Sequence, residues 1–285
     1  MNVQPEARMS QTNPLYWSVR RELWENRSTW LAPLIVAAVV LVATMLSTLV
    51  VLATRGGSGP VAQPFKIAPA PIMFAALIVG FFYCLDALYS ERRDRSILFW
   101  KSLPVSDRTT VLSKMAIPVL VLPAIAYVLS VAAQLVLLFF STVLLLGSGS
   151  SPVPFWTDTR FFEGLLIMFY GLAVHALWLA PVYAWFLLIS AWARRAPVLW
   201  AILPLLAVSA VERILFNSWH FMHGLQYRLT GAMQRAFTTA DGNYETLGQL
   251  SPGKFLATPG LWVGLALAAV FLAAAIRLRR AREPI

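Results

Sequence analysis

The chain has 285 residues, of which 59% are hydrophobic and only 13% charged, and its mean hydropathy is +0.68. Soluble globular chains carry about 25% charged residues, so this composition excludes a water-soluble domain and leaves an all-α polytopic membrane protein, each span needing about 20 mostly apolar residues. A net charge of +10 in such a protein fits loops facing anionic lipid, and no nucleic-acid partner is expected.

The single cysteine, Cys84, lies in an apolar segment, so no disulfide can form within the chain. The first apolar stretch is too long for a cleavable signal peptide and follows about thirty polar or amphipathic residues, so cleavage is not expected. Residues 1–29 read as a cytoplasmic N-terminus. Within them Asn13-Pro14 is a helix start, with Asn as cap and Pro at the first helical position. Leu15, Val19 and Leu23 then recur at four-residue spacing, flanked by Tyr16 and Trp24, while Arg20, Arg21, Glu22 and Glu25 face away. That pattern predicts an amphipathic helix lying in the membrane interface.

The transmembrane domain spans 30–276, with spans at about 30–53, 71–89, 107–146, 161–190, 197–216 and 260–276. The Gly- and Pro-rich loop 54–70 lacks the Lys-Ser/Thr of a phosphate-binding loop. Asp86, near the end of the second span, lies within reach of the Arg92–Arg95 cluster and is expected to form a local ion pair, a proton relay being the alternative.

Between the second and third spans comes Ser90–Lys114, the one long polar interruption of the first half that is rich in positive charge. At its middle sits an apolar run, Ile97-Leu98-Phe99-Trp100, closed by Leu103-Pro104. Ser96 can cap a short helix here and Pro104 ends it; Ser106-Asp107 offers a new cap and an acidic first turn for the next helix. Such a run suits a helix resting in a groove on another protein, or an interfacial loop dipping aromatics among lipid headgroups.

The third span shows no turn signal until Gly147, far longer than one crossing requires, and is expected to project beyond the membrane with bends at Pro118 and Pro123. Gln134 is its one strongly polar mid-membrane side chain, and His175 lies near mid-depth in the fourth span; both are candidates for a substrate path, against a structural, hydrogen-bonded role. In the segment 217–259, Met222, Leu225, Leu229 and Met233 recur at helical spacing opposite Arg228 and Arg235, predicting a helix that caps the outer side or re-enters the membrane. His220 and His223 form a pair without a third ligand, so no metal site is expected. The tail 277–285 is basic.

Counting Lys and Arg with both termini inside gives sixteen on the inner segments and six on the outer ones, Arg213 lying at a span end. The bias predicts both termini and Ser90–Lys114 on the cytoplasmic side. No nucleotide-binding loop, Cys cluster, His-Glu-x-x-His or nucleophile elbow occurs, so no enzymatic activity of its own is expected.

Glu91-Arg92, Ser96-Ile97-Leu98, Ser102-Leu103-Pro104-Val105-Ser106 and Val111-Leu112-Ser113-Lys114 together resemble the signature of type-two ATP-binding-cassette exporter permeases. The motif covers about 25 residues, and the six-span layout extends the likeness along the chain. Asp94-Arg95-Ser96 departs from the Gly-Thr of many members, and Phe99-Trp100-Lys101 from their aliphatics. The resemblance implies a permease subunit in a bacterial inner membrane, paired with a second copy or paralogue and bound to separate ATPase subunits that hold ATP and Mg. It implies that Glu91, Arg92, Arg93, Ile97, Leu98, Phe99, Trp100, Leu103 and Pro104 form the ATPase-coupling segment. The alternatives are a secondary transporter, which the nearly charge-free spans disfavour, and a non-transporting membrane anchor.

Overall fold

Long runs of Leu, Val, Ala and Phe leave the backbone one way to satisfy its polar groups away from water, the helix. The computed structural model describes residues 14–55, 68–102, 105–147, 149, 151–153, 156, 160–238 and 246–281. They form α1 (Pro14–Glu25), α2 (Ser28–Arg55), α3 (Pro69–Asp86), α4 (Tyr89–Arg93), α5 (Ile97–Ser102) and α6 (Asp107–Ala116). A π-helical turn, Ile117–Val121, joins α6 to α7 (Leu122–Gly147). Then follow α8 (Phe161–Trp192), α9 (Pro197–Phe216), α10 (His220–Thr230), α11 (Ala232–Ala236), α12 (Pro252–Leu256) and α13 (Pro259–Ala281). Six helical stretches are long and apolar enough to cross a membrane, from 20 residues in α9 to 41 across α6, the π turn and α7. The protein is an all-α polytopic membrane protein with short additional helices before the first span, after the second and before the sixth.

Local chemistry sets several boundaries. Ser106 is extended and its Oγ accepts from Thr109 N at 3.1 Å, the expected cap of α6. Left-handed Ala196 (φ 46°) precedes α9 and left-handed Asn217 (φ 52°) follows it. In the long third span the irregularity falls at Pro118. Proline has no N–H to give, and its ring crowds the preceding turn. The helix widens there, so that Leu122 N bonds to Ile117 O five residues back. Pro123 adds no second break, because it falls in the first turn of α7. Gly80 of α3 leaves room for the Pro118 ring, a Cβ at that glycine lying 3.4 Å from Pro118 Cβ and from Tyr183.

α8 is the hub of the bundle. Its buried residues Val174, Trp178, Tyr183, Ala184 and Leu187 pack among α3, the π turn, α7 and α13. α2 rests on α3 and α7, whereas α9 touches little besides α8 and leaves most of its apolar side chains exposed. At the end of the bundle away from α1, α10 to α12 fold back over α8. Trp178 meets Tyr227 and Phe255 with ring centroids 5.3 and 6.1 Å apart, and Tyr170 Oη donates to Ala236 O at 3.2 Å. Thr238 N to Gln249 O and Ser251 N to Ala236 O, both 2.9 Å, close this segment on itself. Met233 lies at Gly171, as the helical spacing of 222–233 predicts for an inward face, although Leu229 is exposed.

The reading of α1 needs correction. Val19 and Leu23 do pack against the core, but the face turned fully inward holds Ser18 and Glu22, and Leu15 is exposed. A carboxylate turns inward here because a buried lysine and a tyrosine hydroxyl wait for it.

Gly80→Val should force its branches into Pro118 and Tyr183, and such overpacking costs about 1–3 kcal/mol. Gly80→Ala, whose methyl would sit at ordinary contact distance, should cost far less. Thermal unfolding of the two variants in detergent measures the difference.

Candidate functional site

The short helices after α3 are fastened to the end of α8. Arg92 is buried and its Nη2 donates to Ser190 O at 2.8 Å and Ala193 O at 2.6 Å, satisfying carbonyls that the helix terminus leaves open. Ser190 Oγ accepts from the backbone N–H groups of Leu88 and Tyr89, both at 2.9 Å. The chain then turns at Arg95, whose φ of 59° places it in the left-handed region, and starts α5 at Ile97. Ile97 is 2% exposed and closes a small crevice with Leu88, Arg92, Ala191 and Arg279. Leu98 and Phe99 follow with 59% of their surface exposed each.

Beneath this platform lies a buried ionic network. Lys114 Nζ of α6 stands 2.9 Å from Glu22 Oε1 of α1 and 3.0 Å from Glu91 Oε1 of α4, the second pair poorly angled for a hydrogen bond. Arg279, near the end of α13, donates from Nη1 to Glu91 Oε2 and from Nε to Asp107 Oδ1 at 3.0 Å. Tyr83 Oη of α3 donates to Glu22 Oε2 at 2.8 Å, and Arg21 adds a contact to Glu22 Oε1 at 3.0 Å. Glu22, Glu91, Lys114 and Arg279 are all buried. The network therefore ties α1, α3, α4, α6 and α13 at one end of the bundle. Burial alone would raise the Glu22 pKa, but the Lys114 charge with the hydrogen bonds from Lys114, Tyr83 and Arg21 holds it below its ordinary value.

The nine residues expected in the coupling segment divide by these positions. Glu91, Arg92 and Ile97 point into the chain, so any part they play in coupling is to fix the platform. Arg93 is exposed, pairs with its neighbour Asp94 at 2.9 Å and lies over the Tyr89 ring. The ion pair expected of Asp86 with the arginine cluster does not form among the described residues; its carbonyl accepts from Ser90 Oγ, and Arg93 pairs with Asp94 instead. Leu98 and Phe99 form the outward face. Trp100 belongs to α5, its side chain lying outside the described set, and Leu103 and Pro104 lie outside the described residues.

The two mid-membrane candidates are not brought together by any hydrogen bond among the described residues. Gln134 is buried along α7, and His175 is held by the backbone of Gly171 one turn earlier. His220 and His223 are exposed on α10, and no group of three or more His, Cys, Asp or Glu side chains suited to a metal occurs among the described residues.

Two polar features escaped the sequence reading. One is the reach of Arg279, which sequence counts only as part of a basic tail. The other is Arg228, which the helical spacing put on the face opposite Met222, Leu225, Leu229 and Met233: its guanidinium instead turns inward, 4.7 Å over the Trp178 ring, donates to Gly260 O at 3.1 Å and occupies the space where Gly264 has no side chain. A helix start with glycines one turn apart, Gly260 and Gly264, was the available signal for the second.

Comparison with known protein families, curated proteins and solved structures finds no match.

Lys114→Met should leave Glu22 and Glu91 buried without their shared cation, a loss of about 3–5 kcal/mol for a broken buried pair. Arg93→Ala, at the exposed Arg93–Asp94 pair, should leave stability unchanged within measurement. Chemical or thermal unfolding of both variants in the same detergent tests the contrast.

The pH dependence has a defined sign. Because its folded-state pKa is lowered, Glu22 contributes stability that is complete above the ordinary carboxylate value of 4.5 and is lost as pH falls below it. Glu22→Gln should remove that part of the acid sensitivity, seen as a flatter fall of the unfolding temperature below pH 4.5 than in the unaltered chain.

Proposed function

We propose that this chain is the membrane-spanning permease subunit of an ATP-driven exporter, with α5 as the element that docks on a separate ATPase chain. The observation that supports this most is the split within α5. Ile97 is buried in the base, while Leu98 and Phe99 stand outward from a platform tied by buried charges to the third and sixth spans. A flexible loop would absorb a push; a platform held by Lys114, Glu91 and Arg279 passes it on. The six spans and the motif running from Glu91 to Lys114 agree with this reading.

In this reading both termini and α5 face the cytoplasm of a bacterial inner membrane, as the sixteen-to-six bias of Lys and Arg favours. ATP and Mg belong to the partner ATPase, whose closure supplies the work. The push enters at Leu98 and Phe99, passes through Glu91 to Lys114 and Arg279, and reaches α6 and α13. The π turn at Pro118 is the point where α6 can tilt relative to α7. A second copy or paralogue completes the substrate pathway, and α2 and the sparsely packed α9 have exposed apolar surface to offer to it and to lipid.

The test separates docking from folding. Leu98→Asp combined with Phe99→Asp should cut recovery of the co-purifying ATPase chain, identified by mass spectrometry, by about thirtyfold or more, as loss of one central interface anchor costs about 2 kcal/mol. The purified permease should itself unfold at an unchanged temperature. Ile97→Asp should instead lower that temperature, because it buries a charge in the base. Full ATPase recovery by the Leu98→Asp, Phe99→Asp double variant would sink the assignment.

A further inference from the structure

The outward face of α1 has a built-in pattern that neither the ionic network nor α5 uses. Ser18 and Glu22 turn inward, the latter bonded to Lys114 and Tyr83, so the rotation of α1 about its own axis is fixed. That rotation presents Trp17, Arg20 and Trp24 as one stripe, since positions three and four apart share a helix face. All three are exposed, Trp24 by 71%. The Arg20 guanidinium carbon lies 5.2 Å from the Trp17 ring centroid and 5.0 Å from that of Trp24, so the cation is held between two indoles. Tyr16, also exposed, meets the Trp17 ring edge-on at 5.5 Å. Among the described residues Arg20 has no carboxylate within ion-pairing distance.

We propose that this stripe binds the headgroup of an anionic phospholipid of the surrounding membrane, with phosphatidylglycerol as the representative chemistry. Three features select lipid. α1 leads after two residues into α2, whose Trp30, Leu31, Leu34 and Ile35 are exposed, so the chain that carries the stripe also offers apolar surface to an acyl chain. Tryptophan places its apolar body in the acyl boundary and its N–H among polar groups, which is why it gathers at membrane surfaces. A guanidinium offers paired donors that match two phosphate oxygens, and flanking indoles hold it in place without neutralising it. The exposed Arg27 at the junction of α1 and α2 adds a second positive charge nearby. The inference does not rest on the exporter reading, because it needs only that α1 adjoins the membrane end of α2.

Native mass spectrometry of the full-length protein in a neutral detergent tests it, with dioleoyl-phosphatidylglycerol or dioleoyl-phosphatidylcholine added at equal concentration. The unaltered chain should retain phosphatidylglycerol in preference to phosphatidylcholine. Arg20→Ala should weaken phosphatidylglycerol retention about fivefold, the effect of one cation at a charged membrane surface, and leave phosphatidylcholine unchanged. Arg235→Ala, another exposed arginine stacked on a tyrosine, should behave as the unaltered chain. Should Arg20→Ala also lower the unfolding temperature, Arg20→Lys decides: partial recovery of retention, from the charge without the paired donors, supports the proposal, and retention as poor as in Arg20→Ala overturns it. Equal retention of the two lipids, an unchanged Arg20→Ala, or displacement of the lipid by millimolar inorganic phosphate would each overturn it. The last would mean a small-anion site.

Discussion

The lysine at position 114 is shared by two carboxylates that come from distant parts of the chain, Glu22 before the first span and Glu91 after the second. Removing charges from water costs several kcal/mol per ion, and mutual attraction repays it only when partners are close and their remaining hydrogen-bonding capacity is used. Here the partners are close and alternate in sign, although Glu91 Oε1, 3.0 Å from Lys114 Nζ, is left without a well-angled hydrogen bond. Glu22 faces Lys114, Arg21 and Tyr83; Glu91 faces Lys114 and Arg279; Arg279 reaches on to Asp107, which Arg280 also approaches. Loss of Lys114 would leave both Glu22 and Glu91 buried and short of a cation, so the five helices that supply the network hold one mutual arrangement. Such a network is weak evidence for extra stability. It is better understood as a device that fixes geometry.

What it fixes is a platform outside the apolar part of the bundle. α4 and α5 are only five and six residues long, too short to hold themselves in water. They are ordered by Arg92 on the end of α8, by Ser190 on the backbone of Leu88 and Tyr89, and by Ile97 in its crevice. With these groups committed inward, Arg93, Leu98 and Phe99 are among the described residues of this platform that stay exposed. The opposite end of the bundle repeats the principle with fewer charges. There Arg228 is seated on Trp178 and at Gly260 and Gly264, and it ties the folded-back segment to α8 and α13.

Between the two ends the bundle is close-packed at the hub and loose at the rim. α8 packs aromatics against α3 and α13, the Phe81 ring of α3 meeting both Tyr183 and Phe186, and Trp185 lying against Phe271. α2 and α9 keep broad apolar faces that water would not tolerate and lipid does. The one departure from regular helix in the long third span lies directly after Lys114, where a rigid polar end meets a more adaptable apolar shaft. In an exporter that is where a push delivered at α5 would become a tilt.

Much of the architecture was legible in residue order alone. The six spans, the extra length of the third, the Ser106 cap, the short helix at Ile97 and the helical segment before the sixth span all follow from hydrophobic period, caps and breakers, which act within a few residues of one another. The sequence also held the resemblance on which the functional proposal draws. What it could not decide is which charges turn inward. Helical periodicity put Glu22 with Arg20, Arg21 and Glu25 on an outer face, because a carboxylate on an amphipathic helix belongs in water unless a cation meets it, and that cation stands 92 residues away. Glu91 and Arg92 read as surface contacts for the same reason, and Arg279 as a tail charge, since its partner lies 188 residues earlier. Burial of an ion is settled by its counter-ion, and only the tertiary structure brings distant parts of the chain within 3 Å of each other.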